Sequence, residues 1–166
     1  MFDVKSLGAC KYDSPLRRSI KNFICDDDRV LYNPHLDAFK NAIEHGMEYP
    51  ISIELAGPRE KLFFDPTKTK AAIVTCGGLC PGLNNVIRAI FLELYYSYGV
   101  HDVLGIRYGY AGLVDPKFVP VRLTVETVED IHMNSGTILG SSRGVHEVKN
   151  MVDFLEKLTI SNCLRQ

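Results

Sequence analysis

An α/β fold, an open parallel sheet with flanking helices, is predicted by three observations. Residues 71–75 form a short apolar, β-branched run, and Val103-Leu104-Gly105-Ile106 forms a second. Such runs mark strands buried on both faces. Between them Val86, Ile87, Ile90, Phe91, Leu94 and Tyr98 recur at helical spacing, with Gly99 where a helix C′ residue belongs. A strand, a helix and a strand within this length make a parallel pair with a right-handed crossover.

The turn between the first strand and the helix carries the chemistry. Gly77-Gly78 and Pro81-Gly82 stop the strand and reverse the chain. Glycines let backbone N–H groups approach a ligand closely, and a helix N-terminus adds its positive dipole end, so phosphates are natural occupants. A purely structural strand-to-helix turn satisfies the same spacing. The loop has no Gly-x-Gly-x-x-Gly and no Lys-Ser or Lys-Thr after Gly82. Both the dinucleotide fingerprint and the P-loop pattern therefore fail. Any cationic partner for a phosphate must come from elsewhere in the chain.

Composition narrows the class. The chain has 166 residues, a net charge of −1 and 46% hydrophobic residues, enough for one domain with a real core. Near-neutral charge gives no sign of nucleic acid binding, and no apolar run is long enough to span a bilayer. Met1-Phe2-Asp3 does not open a signal peptide. Five scattered cysteines fit a reduced, cytoplasmic protein. Cys76 and Cys80 stand one residue further apart than the redox motif, with no matching pair and no histidine nearby. They are expected to pack beneath the turn, and no metal site is assigned.

Taken in order, residues 1–30 are weakly patterned and end in Asp26-Asp27-Asp28, read as solvated charge in preference to a cation site. Asn33-Pro34 caps a helix whose apolar face is Leu36, Phe39 and Ile43, closed at His45-Gly46. Gly57-Pro58 turns the chain into a short strand at 61–64, which Asp65-Pro66 breaks. Residues 1–70 thus read as an N-terminal extension, and 71–166 as a partial phosphate-binding domain.

Beyond the second strand comes Arg107-Tyr108-Gly109-Tyr110. Ligands of open α/β sheets lie at the carboxyl ends of strands, so these tyrosines are expected beside the glycine loop, to stack on a base or to cover the sheet edge. Leu123-Thr124 starts a short helix with Val125, Val128 and Ile131 inward, ending near Asn134-Ser135-Gly136. Gly140-Ser141-Ser142-Arg143-Gly144 follows, read as a small-residue turn that opens a helix with Val148, Met151, Val152, Leu155 and Leu158 inward. Arg143 can supply the cation that the glycine loop lacks. Residues 159–164 read as the start of a third strand, so the chain is expected to stop partway through its fold.

Four stretches together carry a family resemblance: 56–60, 71–88, 105–113 and 136–144. In them the chain resembles the N-terminal portion of 6-phosphofructokinases of the long-chain branch, whose members use ATP or pyrophosphate. The resemblance implies phosphoryl transfer to the 1-hydroxyl of fructose 6-phosphate, giving fructose 1,6-bisphosphate in glycolysis. It also implies Mg2+ and a homo-oligomer. Carried over by motif, Gly77 and Gly78 hold the donor phosphates, Tyr110 lines the nucleotide pocket, and Arg143 with Gly144 contacts the phosphates. Arg88 matches an arginine that helps bind an effector in bacterial relatives.

The departures from that family are specific. Its Gly-Gly-Asp-Gly motif, which holds magnesium, and its Thr-Ile-Asp-Asn-Asp motif, which carries the base, have no counterpart here. Ser135 stands where glycine is usual. Catalytic residues are accordingly none, expected beyond Gln166, and the 166-residue chain by itself is expected to be inactive or at most to bind phosphate. ATP is the favoured donor, because only a nucleotide offers Tyr110 a base. A nicotinamide-binding domain shares the βαβ start but fails for want of the fingerprint and of an acid at the end of the second strand, where Arg107 stands.

Overall fold

The computed structural model describes residues 6–47, 50–78 and 80–158. The chain divides into two compact units, residues 1–63 and 64–166.

In the first unit, four short strands come from sequence with weak patterning. They are β1 (Tyr12–Asp13), β2 (Arg29–Leu31), β3 (Ser52–Glu54) and β4 (Lys61–Leu62), paired antiparallel as β1 with β4 and β2 with β3. Only β4 was legible, at the start of the 61–64 run. The helix α1 (Leu36–Glu44) starts two residues later than the predicted Asn33-Pro34 cap: His35 is the N-cap and makes no side-chain cap bond, while Asn33 Oδ1 accepts the His35 N–H at 3.0 Å in the turn before the helix. Leu36, Phe39 and Ile43 nevertheless stay exposed. The acidic run is tied up locally: Asp26 pairs with Arg59 at 3.1 Å, and Asp28 accepts the Cys25 N–H at 2.8 Å.

The second unit contains the predicted βαβ. Strands β5 (Lys70–Val74) and β6 (Asp102–Ile106) are parallel, with Ala72 opposite Leu104. The connecting helix α2 (Leu83–Leu92) runs on through a π-helical turn, Glu93–Ser97. A third strand, β7 (Val121–Arg122), pairs antiparallel with β6. The sheet is therefore mixed where an all-parallel one was expected, because this strand returns directly along the edge of β6 without a crossover. The third strand read at 159–164 lies outside the described residues.

The core gathers Ile73, Ile87, Phe91, Val100, Val103, Leu123, Val128, Ile131 and Leu139. Fully burying side chains of this size contributes about 1.5–3 kcal/mol each. Helix α2 presents Ile87 and Phe91, an i, i+4 pair, while Val86 and Ile90 of the predicted face remain exposed. They lie one step, about 100°, round the helix from the buried stripe.

A short helix, α3 (Val125–Val128), starts at Thr124 with reciprocal caps. Thr124 Oγ1 accepts the Thr127 N–H at 3.2 Å, and Thr127 Oγ1 accepts the Thr124 N–H at 2.7 Å. Val128 and Ile131 face inward as expected.

The segment after Gly140 departs from its reading. Residues 140–147 form no helix; α4 (Val148–Lys157) begins only at Val148, with Glu147 at its N-cap position. Arg143 thus rises from an irregular segment, since Gly144 at φ +148° does not enter a helix. Val148 is exposed, and Met151, Val152, Phe154, Leu155 and Leu158 are half-buried.

Candidate functional site: the glycine-loop concavity

At the carboxyl ends of β5 and β6 the chain encloses an open concavity of about 680 Å³. Its lining is Gly77 and Gly78 from the loop, Tyr108 from the turn after β6, and Gly140, Ser141, Ser142 and Arg143. Sequence elements some thirty residues apart meet here because the parallel pair ends both strands at one edge.

Hydrogen bonds join the two loops. The Gly77 N–H donates to Ser142 O at 3.1 Å, and Ser141 Oγ donates to Gly77 O at 2.7 Å. Thr75, buried at the end of β5, donates through Oγ1 to Gly140 O at 2.8 Å. With its N–H committed and φ at +91°, Gly77 fixes the turn of the loop. The Gly78 N–H has no protein acceptor among the described residues.

Arg143 lies directly over the loop. A Cβ added at Gly78 would stand 2.8 Å from Arg143 Nη2, so the missing side chain is what lets the guanidinium settle there. Among the described residues Arg143 has no hydrogen bond and no carboxylate partner. An unpaired guanidinium, a free N–H and two serine hydroxyls around one hollow suit a phosphate, which takes planar, charge-assisted donors.

Tyr108 is the aromatic residue of the lining. It is the one non-glycine residue at positive φ among those described, at +58°. Its N–H donates to Leu139 O at 2.7 Å, and its ring lies against Gly140, where a Cβ would come within 2.8 Å of the ring. Glycine at φ +69° meets both demands at Gly140. Both Tyr108 and Tyr110 are expected beside the loop from their place after β6, and the family resemblance implies Tyr110 for the nucleotide pocket. No pattern in the sequence separates them, since the left-handed turn at Tyr108 sets which ring lines the hollow.

Of the sequence-assigned residues, then, Gly77, Gly78 and Arg143 come together in the lining. Tyr110 lies in the 3₁₀ turn Gly109–Leu113, exposed, and Gly144 follows Arg143; neither is part of the lining. Cys76 and Cys80 are exposed, not packed beneath the turn, because the loop carrying them sits on the surface. Arg88 is engaged by the protein itself, its Nε donating to Glu129 O at 3.2 Å.

Magnesium, which the resemblance implies, finds no ligand set. The lining has no carboxylate, and among the described residues no three His, Cys, Asp or Glu are gathered to hold a metal. The N-terminal unit has a smaller hollow of about 410 Å³ lined in part by Ala38, Ala42, Met47 and Ile51, with no Lys or Arg to attract phosphate. No described helix is long and apolar enough to cross a membrane.

Comparisons with known proteins bear on this site. A family model described as Phosphofructokinase matches residues 70–164. The ATP-dependent 6-phosphofructokinase of Entamoeba histolytica is 54% identical over 121 residues, 72% of this chain and 27% of its own length. That of Borreliella burgdorferi is 39% identical over 166 residues, 96% of this chain and 36% of its own. That of Amycolatopsis methanolica is 44% identical over 161 residues, 92% and 34%. The crystal structure of Pichia pastoris phosphofructokinase in the T-state gives a TM-score of 0.48 at 25% identity, over 69% of this chain and 11% of that one. The chain spans about a third of the length of these curated relatives.

Proposed function

The chain belongs to the phosphofructokinase family, and we propose that its glycine-loop concavity binds the phosphates of the phosphoryl donor. The observation that carries this reading is the seating of Arg143 over Gly78, with Nη2 2.8 Å from where a Cβ would stand. In phosphoryl transfer the charge spreads over the equatorial oxygens, and fixed donors aimed at them supply most of the catalysis. Arg143 and the Gly78 N–H are such donors; Gly77 shapes the loop, and Gly144, next in the chain to Arg143, contacts the phosphates beside it.

The reaction served is transfer from ATP to the 1-hydroxyl of fructose 6-phosphate, within a homo-oligomeric, cytoplasmic enzyme of glycolysis. Tyr110 contacts the base. Support for ATP over pyrophosphate comes from the names of the relatives, which are ATP-dependent enzymes. Magnesium would arrive with the donor and requires ligands other than this lining.

Calorimetric titration of ATP and pyrophosphate into the chain tests the proposal. Both should bind, and Arg143→Ala should weaken both by about tenfold or more, the loss of a charge-assisted hydrogen bond. Tyr110→Ala should weaken ATP alone, by about fivefold for one lost stack. Absence of binding at millimolar donor, or indifference to Arg143→Ala, would overturn it.

A further inference from the structure

Arg107 is the last residue of the path from β6 to the concavity, one position before the lining residue Tyr108. Its guanidinium carbon lies 5.2 Å from the centre of the Tyr108 ring, and its Nη2 donates to the Tyr108 hydroxyl at 3.3 Å. The ring is held in turn, by Phe118 with centroids 4.7 Å apart and by the bare Cα of Gly140. An exposed arginine side chain is ordinarily free to wander, and this one is carried on a clamped aromatic support.

The charge around it is uneven. Lys117, the other cation of this cluster, lies 4.8 Å from the Phe118 ring and is neutralised by Asp115 Oδ2 at 2.6 Å. Arg107 has no carboxylate partner among the described residues. Two guanidinium groups without a carboxylate partner thus stand near one hollow: Arg143 in its lining, and Arg107, outside the lining, against the ring of the lining residue Tyr108. The support for Arg107 rests on a residue at φ +58°, a conformation that survives only where its surroundings enforce it.

We propose that Arg107, held on Tyr108, is a second phosphate-binding cation, so that the concavity takes two linked phosphates of a polyphosphate, not one. This inference rests on the reading of the hollow as a donor-phosphate site. The ligand chemistry is a polyphosphate chain, either inorganic pyrophosphate or the tail of a nucleotide.

The test is calorimetric titration of the chain with orthophosphate, pyrophosphate and ATP, in the wild type and in Arg107→Ala, Arg107→Lys and Arg143→Ala. Circular dichroism checks that each variant keeps its fold. Arg107→Ala should cut the ratio of pyrophosphate to orthophosphate affinity about tenfold, whereas Arg143→Ala should weaken all three ligands. Arg107→Lys should restore part of the ratio, which no merely structural role would do. A fall in the ratio for ATP as well places the tail of a nucleotide in the hollow; a fall for pyrophosphate alone assigns it to the inorganic donor. An unchanged ratio in Arg107→Ala overturns the inference and leaves the donor site standing. Loss of all binding in the wild type overturns both.

Discussion

Asn84 Oδ1 accepts the Ile138 N–H at 2.8 Å, fixing the first turn of α2 to the loop that leads into Arg143. Its amide also donates to Asn134 O at 3.0 Å, and the residue is only 2% exposed. One side chain therefore satisfies two backbone groups of a segment with little regular structure of its own. The helix that follows the glycine loop thereby holds the other half of the site.

Asn84→Ala should destabilise the chain by about 2–4 kcal/mol, since two bonds are lost and their partners left unpaired. A drop in Tm of roughly 4–16 °C is expected for a chain of this size. Asn84→Asp keeps the acceptor for Ile138 but sets a carboxylate oxygen against Asn134 O, so it should do no better. A shift under 1 °C for both variants would contradict this account.

Gly78→Ala separates binding from folding. The new methyl meets only the end of the Arg143 side chain, which can swing away at little cost. The expected result is an unchanged melt with pyrophosphate affinity reduced about fivefold to tenfold, as one charge-assisted bond is weakened. Calorimetry and thermal denaturation on the same preparation check both halves.

Asp65 gives the second unit an acid dependence. The Thr67 hydroxyl, donating at 2.7 Å, holds this carboxyl below its ordinary value of 3.8, against a smaller opposing effect of burial. The Thr67 N–H at 3.0 Å and Lys68 at 3.7 Å add to the lowering. A depressed folded value favours the ionised form, so its stabilisation is present above pH 3.8 and is lost as pH falls through the folded value. Asp65→Asn should flatten the Tm profile below pH 4 and change its slope little at pH 6–8. A profile as steep as the wild type below pH 4 would contradict this.

The 166-residue chain should not phosphorylate fructose 6-phosphate. The concavity is lined by glycine, serine, tyrosine and arginine, with neither a carboxylate nor a histidine to take the proton of a sugar hydroxyl. A coupled assay of the purified chain should read at blank level. Turnover abolished by Arg143→Ala would show that a base is present after all.

The sequence by itself determined the βαβ unit and the glycine loop. Those features depend on local signals: β-branched runs, helical spacing around Ile87 and Phe91, and Gly and Pro where the chain must turn. The resemblance in four ordered motifs extended the reading to phosphofructokinase chemistry. Only the tertiary structure decided that β7 returns antiparallel, that Arg143 rises from an irregular segment, and that Tyr108 lines the hollow. Those outcomes depend on partners distant in sequence. Val121 finds Gly105, Gly140 makes room for the Tyr108 ring, and Gly78 makes room for Arg143. A two-residue strand or a left-handed tyrosine has too little local preference to show in the sequence; the contacts that hold it exist only once the chain has folded.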